Sequence, residues 1–341
     1  MAENQNLMER IVAAAKAEPQ RFAFPEADDA KMLTAAYQVA TQGIGHCVLV
    51  GVPAALRAMC GELGFDADAF EYVDAADEEL RTRLAHDYCE LPCALFWESM
   101  VVRRMASPLY TALVMEALGL VDVTIGGLSA TTADVIQGAS EILGIDPASG
   151  VLSSVGIVYT PHRSTPEEGP YIAVTDVSTC VDPTSEELAS IAVDSADTLR
   201  DLLGWDVRAA MLSYSTDGSA VSDKVDKVCE GLRIAQERRP DLKIDGEFQL
   251  DAAIDPAVAA KKVGRPSSVA GRANLLVFPN LDAGNIGVKM MQQFGDAQLF
   301  GVIMQGFNKI CSDSSRGASV EELVGNIAIC GVRAAGLKKR S

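Results

Sequence analysis

Apolar residues along this chain follow two alternating rhythms, short unbroken runs and longer stretches repeating every three to four positions. Residues 21–24 (Arg-Phe-Ala-Phe) read as a short strand running into Pro25-Glu26, residues 30–42 as a helix, 46–50 as a second strand ended by Gly51, and 53–63 as a second helix. A β-α-β-α beginning of this kind predicts an α/β protein built on mostly parallel sheets. The alternation continues with a helix over 109–118 and a strand over 121–125. The loop Gly126-Gly127-Leu128-Ser129-Ala130-Thr131-Thr132-Ala133-Asp134 then feeds a helix through Ile142. Its paired glycines allow close backbone approach, Thr131 or Thr132 can cap the helix, and a helix start can hold an anion. A tight turn with an ordinary N-cap explains the same residues equally well.

A domain change is expected near residues 144–147, after which 152–159 and 171–177 read as neighbouring strands joined by an exposed Pro- and Glu-rich loop. Thr184 and Glu187 form a capping box ahead of a helix whose apolar stripe is Leu188, Ile191, Ala192, Ala196 and Leu199. A strand over 209–214 precedes a helix carrying Val221, Val225, Val228, Leu232 and Ala235 on one face. Asp245 and Glu247 are expected to share a strand face with Gln249 and Asp251, in hydrogen bonding rather than metal binding. Two further strands, 275–278 and 299–304, break into loops containing Asn280 to Asn285 and, past Gln305-Gly306, Ser314-Ser315-Arg316-Gly317. Ligands of α/β proteins sit where backbone N–H groups converge at the carboxyl ends of strands, so this stretch is the expected wall of a site.

The 341 residues exceed what one core usually supports, which favours two domains. A net charge of −18 argues against nucleic acid, so a phosphate-bearing ligand must find a local cluster of cations. No long uncharged apolar run and no signal-peptide pattern is visible, and the expectation is a cytoplasmic protein away from membranes. The eight cysteines are scattered, and Cys89 and Cys93 lack zinc-knuckle spacing; reduced core thiols and no metal site are expected. His46, His86 and His162 are too few and too dispersed for a His-based triad.

Eight segments, in order, carry a family resemblance: Phe24-Pro25-Glu26; Thr132-Ala133-Asp134; Asp182-Pro183-Thr184; Ser213 to Ser219; Asp245 to Ala253; Ala270 to Gly287; Gln305-Gly306; and Ser315-Arg316-Gly317. Together they resemble the phosphate acetyltransferase and phosphate butyryltransferase family, the phosphotransacetylases. The resemblance implies a two-domain α/β fold related to the isocitrate and isopropylmalate dehydrogenases, usually as a homodimer. It places the first domain at 1–147 with 308–341 and the second at 148–307, with the active-site cleft between them. The implied reaction moves an acyl group between coenzyme A and inorganic phosphate through acyl phosphate, with coenzyme A as substrate and no permanently bound cofactor or metal. Carried over by position, Glu322 is the base that takes the thiol proton, while Ser315 and Arg316 steady the developing charge and the phosphate. Thr131, Thr132, Asn285, Lys289, Gln305 and Gly306 are the implied substrate contacts.

That chemistry suits the residue types. A thiol is mostly protonated at neutral pH and needs a base, and a guanidinium fork suits a departing phosphate. If 315–322 is a helix start, donor and base stand one to two turns apart; the plainer reading makes Glu322 a first-turn acid favoured by the dipole. Lys289, read as lying in the first turn of the helix after Gly287, is an unfavourable cation unless an anion is bound. The chain departs from the family at Glu322, where Asp is usual, and at Gln137, where an arginine is usual; Val288, Val302 and Cys311 also differ. Cys311, near Lys309 and Arg316, could be a nucleophile, but packing is its expected role. Beside acetyl transfer stand butyryl or propionyl transfer and a catalytically impaired regulatory homologue. A nicotinamide-dependent dehydrogenase lacks its Gly-x-Gly-x-x-Gly after the first strand.

Overall fold

In the computed structural model, which describes residues 2–340, the apolar runs form strands and the amphipathic stretches form helices. They fall into two units, one of residues up to Gly144 together with those from Phe307 onward, the other Ile145–Gly306. The first begins with α1 (Ala2–Ala17), β1 (Gln20–Phe24), α2 (Ala30–Thr41), β2 (Gly45–Gly51), α3 (Pro53–Leu63) and β3 (Glu71–Asp74). It continues with α4 (Glu78–Cys89), α5 (Glu98–Arg104), α6 (Pro108–Ala117), β4 (Val123–Gly126) and α7 (Thr132–Ile142). The second contains β5 (Ser153–Tyr159), β6 (Tyr171–Thr175), α8 (Ser185–Leu203), β7 (Arg208–Leu212), α9 (Asp223–Arg238) and β8 (Lys243–Phe248). After these come α10 (Leu250–Ile254), α11 (Pro256–Lys262), β9 (Leu275–Val277), α12 (Leu281–Phe294) and β10 (Gln298–Gln305). The chain re-enters the first unit with β11 (Ile310–Asp313) and closes with α13 (Val320–Arg340).

The first unit is a five-stranded sheet in the order β11-β4-β1-β2-β3, and every pairing in it is parallel. Its central strands are buried on both faces, with Phe22, Ala23, Phe24, Val123 and Ile125 all at 0% exposure, as a parallel sheet covered by helices requires. From β1 the chain steps to β2 and β3 on one side, then to β4 and β11 on the other. The order therefore reverses between β1 and β4, the topological switch point at whose carboxyl side ligands of open α/β sheets sit.

The second unit is a six-stranded sheet, β10-β5-β6-β9-β7-β8. Strands β6, β9, β7 and β8 run parallel, while β5 and β10 add an antiparallel edge. One core packs Ile172, Val174, Ala210, Leu212, Leu276, Phe248 and Val288 together. No described helix is long and apolar enough to cross a membrane.

Two sequence expectations are corrected here. Helix α9 starts at Asp223 under a Ser222 cap, which leaves Val221 outside it and 89% exposed. Strand β8 ends at Phe248, so Gln249 caps α10 and Asp251 lies in that helix, and the four polar residues share no strand face. Their engagement is nevertheless by hydrogen bonds. Asp245 accepts a two-pronged pair from Arg265, at 3.0 and 2.8 Å, and Glu247 accepts from the Ser215 hydroxyl at 2.7 Å and the Gly218 N–H at 3.0 Å.

Glu116 on α6 is wholly buried beside Thr124, and neither carboxyl oxygen finds a well-aligned partner. Burial pushes its pKa up to about 8 from an ordinary 4.5, and Thr124 and the charge of Lys309 offset only part of this. Between those values the folded state keeps a proton that the unfolded chain releases. The stabilisation is complete below the unfolded value and is lost as pH rises through the folded one. Thermal melts of Glu116→Gln should therefore lack a decline that the wild type shows from about pH 5 to about pH 8. Parallel curves would mean that the carboxyl is solvated in the folded protein.

Candidate functional site

The loops at the carboxyl ends of β1, β4 and β11 are tied to one another by a carboxylate and a glycine. Glu26, only 6% exposed, accepts the backbone N–H groups of Gly127 (3.2 Å), Leu128 (2.7 Å), Ser129 (3.0 Å) and Ala130 (3.0 Å). Successive N–H groups of this kind form an anion-binding concavity, and here the chain fills it with its own side chain. Gly127 has φ +101°, and a β-carbon there would lie 2.3 Å from Asp313 Oδ1 and 2.4 Å from Ser314 N. Only glycine fits. The Ser314 N–H donates to Gly126 O at 2.8 Å, completing the seam between the β4 and β11 loops.

The two adjacent threonines have different tasks. Thr131 caps α7 in a reciprocal box with Asp134: its hydroxyl receives the Asp134 N–H at 3.1 Å, and Asp134 Oδ2 receives the Thr131 N–H at 3.1 Å. Bonds from Thr131 hold the Asp134 carboxyl below its usual range, with a smaller contribution from Arg316. Thr132, exposed on the first turn, donates its hydroxyl to Asp313 Oδ2 at 2.6 Å. Asp313 is half-buried, and its second oxygen is enclosed without a partner, as is the hydroxyl of Ser314. Burial raises the Asp313 pKa and the charge of Glu26 adds to the rise, while the Thr132 hydrogen bond opposes it.

Ser315, Arg316 and Gly317 lie exposed in the loop between β11 and α13. The Arg316 guanidinium has no ion pair among the described residues. Its carbonyl accepts from Lys31 Nζ at 3.0 Å, and Lys31 also reaches Ala318 O at 3.3 Å. Two cations thus gather at this end of an otherwise acidic protein. Helix α13 begins at Val320, so residues 315–319 are loop, and Glu322 lies in the first turn as the plainer reading had it. Glu322 forms a capping box with Ser319: its Oε2 accepts the Ser319 N–H at 2.7 Å, and its own N–H donates to the Ser319 hydroxyl at 3.2 Å. Oε1 makes no hydrogen bond among the described residues.

In the second unit, Asn280 caps α12, so Lys289 stands more than two turns from the helix start and the dipole argument for an anion there does not hold. Lys289 is exposed. Asn285 is half-buried and donates to Val177 O at 3.1 Å. Gln305 is buried and fully engaged: its amide donates to the hydroxyls of Ser153 (3.0 Å) and Ser195 (2.7 Å), and its carbonyl receives Thr198 (3.1 Å). Gly306 has φ +97°, and a β-carbon there would meet Val151 O at 2.0 Å. Any ligand contact at these last two positions falls to the backbone.

Gln137 donates to Glu141 Oε1 at 3.0 Å, and Glu141 is also held by Tyr110 and Arg104. Cys311 is buried, and burial raises its thiol well above the ordinary range, which removes it as a nucleophile. No cluster of three or more His, Cys, Asp or Glu able to hold a metal ion occurs among the described residues.

The family model described as "Phosphate acetyl/butaryl transferase" matches residues 6–331. The chain belongs to this transferase family. A phosphate acetyltransferase of Clostridium acetobutylicum is 38% identical over 334 residues, spanning 96% of this chain and 98% of the relative. Another, from Thermoanaerobacterium thermosaccharolyticum, is 37% identical over 332 residues, with 96% and 99% covered. The solved phosphotransacetylase of Streptococcus pyogenes superposes with a TM-score of 0.89 at 31% identity, covering 97% of this chain and 98% of that one. Membership directs attention to Ser315, Arg316 and Glu322. Sequence reading gave no role to Glu26, although it stands in one of the motif segments, nor to Lys31 or Asp313; the order Asp313-Ser314-Ser315-Arg316 at a strand's end was the signal available for the last.

Proposed function

We propose that the protein interconverts acetyl-CoA plus phosphate with acetyl phosphate plus coenzyme A, in the cytoplasm and without a resident cofactor. The observation carrying this reading is the exposed Arg316 guanidinium, without an ion pair among the described residues, next in the chain to Ser315 at the carboxyl end of the first sheet, with Glu322 on the helix turn that follows. In the thioester-forming direction, Glu322 takes the thiol proton on Oε1 while Oε2 keeps the cap. The thiolate attacks the acyl carbonyl, and Ser315 and Arg316 stabilise the oxyanion and the leaving phosphate. Asn285, Lys289 and the backbone at Gly306 are assigned to holding substrate, with Thr131 fixing the start of α7. Mixing the purified protein with acetyl phosphate and coenzyme A should yield thioester, and propionyl and butyryl phosphates set the acyl range.

Gln137 tied to Glu141, and Glu322 engaged in a cap, favour as second reading an impaired homologue that binds coenzyme A and phosphate. Coenzyme A binding with no thioester from any of the three donors would select it. We further propose a homodimer. Helix α12 exposes Ile286, Met290 and Phe294 at four-residue spacing, with Phe294 85% exposed. Sedimentation at the mass of one chain would reject that assignment.

A further inference from the structure

Resting on the proposed reaction, we infer that Asp313, acting through the Thr132 hydroxyl, supplies and recovers the proton exchanged with phosphate. The balance of the reaction calls for such a group. A thiol and acetyl phosphate dianion give a thioester and hydrogen phosphate dianion: the C–S bond forms, the C–O bond breaks, and one proton leaves sulfur while one arrives on a phosphate oxygen. Glu322 accounts for the first transfer. The second needs a donor near Arg316, the residue assigned to the phosphate.

Thr132 and Asp313 have the required arrangement. The Thr132 hydroxyl is exposed, and behind it Asp313 Oδ2 lies at 2.6 Å. The other carboxyl oxygen is enclosed with no donor among the described residues, so Thr132 is the hydrogen-bond partner through which the carboxyl acts. When Asp313 holds a proton it donates to Thr132, whose own hydrogen then points outward as a donor. When Asp313 is ionised, Thr132 donates inward and presents a lone pair. The pair therefore passes a proton from Asp313 to Thr132 to phosphate, and in the opposite direction from hydrogen phosphate to Thr132 to Asp313. The charged groups around it are Glu26 from the β1 loop, Asp134 from α7, Arg316 from its own loop, and Lys31 from α2, which is held on the Arg316 and Ala318 carbonyls. Burial and Glu26 favour the protonated acid that a donor must be.

Asp313 is a positioning residue in this scheme, and Thr132 is the group that meets phosphate. The test is kcat against pH in both directions for the full-length protein, its Asp313→Asn variant, and the pair Thr132→Val and Thr132→Ser. Thioester formation should fall as pH rises through the Asp313 titration, and phosphorolysis of acetyl-CoA should rise over the same range. Asp313→Asn and Thr132→Val should each lower kcat by about 100-fold or more, with KM for acetyl phosphate changed less than about three-fold and the pH limb gone. Thr132→Ser should keep most of the activity and the limb. Because Thr132 is exposed, its two variants decide the matter even if Asp313→Asn does not fold. Full turnover in Thr132→Val, or a wild-type pH limb in Asp313→Asn, overturns the inference. A wild type that forms no thioester removes the reaction itself, and this inference with it.

Discussion

Glu322→Gln is expected to fold and melt like the wild type while losing turnover by about 100- to 10,000-fold, the range set by removing a general base. The separation is possible because glutamine serves a capping box as well as glutamate does. The bond from the Ser319 N–H to a side-chain oxygen, and that from the residue-322 N–H to the Ser319 hydroxyl, both survive the substitution. Only the proton acceptor at Oε1 disappears. Coenzyme A should still bind with nearly unchanged affinity, so the loss should fall on kcat. Activity equal to the wild type would leave Glu322 as a helix cap and nothing more, and the base would have to be sought elsewhere. Ser319→Ala is the complementary variant. It should cost about 1 kcal/mol of stability through the lost cap.

Glu26→Ala should be among the most destabilising single changes in the first unit. Four N–H groups from consecutive residues now share one buried carboxylate at 2.7 to 3.2 Å, and truncation leaves them facing a small void. Hydrogen bonds to a charged group contribute about 1.5–3 kcal/mol each before non-additivity, and a buried N–H left without an acceptor costs about 1–3 kcal/mol. For a unit of this size the corresponding fall in Tm is about 10 °C. The loop also positions Gly127 against Asp313 and Ser314, so turnover should suffer along with stability. A melt within about 1 °C of the wild type would show that water replaces the carboxylate without loss.

The local parts of this fold were legible wherever the signal was local. Helix α3 was predicted over 53–63 and observed as Pro53–Leu63, because Pro53 suits a first turn and Gly64, at φ 71°, ends the helix. The Thr184 and Glu187 box was equally readable. The same box at Ser319 and Glu322 went unread, although Glu322 was read as a first-turn acid and lies in the first turn of α13. Strand β3, a sheet edge with a mostly exposed or half-buried pattern, and β11, half of whose residues are polar, carried too weak an apolar rhythm to stand out.

Site residues were legible through their types, less so through their surroundings. Arg316 and Glu322 could be picked out by motif, but the pairing of Glu26 with a loop 101 residues away could not, since no local pattern encodes it. Gln305 shows the converse. The resemblance implied a ligand contact there, and only the packed structure reveals that Ser153, Ser195 and Thr198 engage its side-chain amide. Lys289 was misplaced along its helix because the Asn280 cap lies upstream of the glycines that drew attention.

The resident carboxylate in the β4 loop has a consequence for how this protein holds phosphate at all. With the amide cradle plugged by Glu26, the proposed reaction leaves phosphate in the first unit to the long, rotatable side chain of Arg316 rather than to that stretch of rigid main chain. Such a grip is sensitive to ionic strength, weakening as salt screens exposed charge. It is also easy to retune by exchanging single side chains without redrawing the backbone, which leaves room within one scaffold for acyl phosphates of different size.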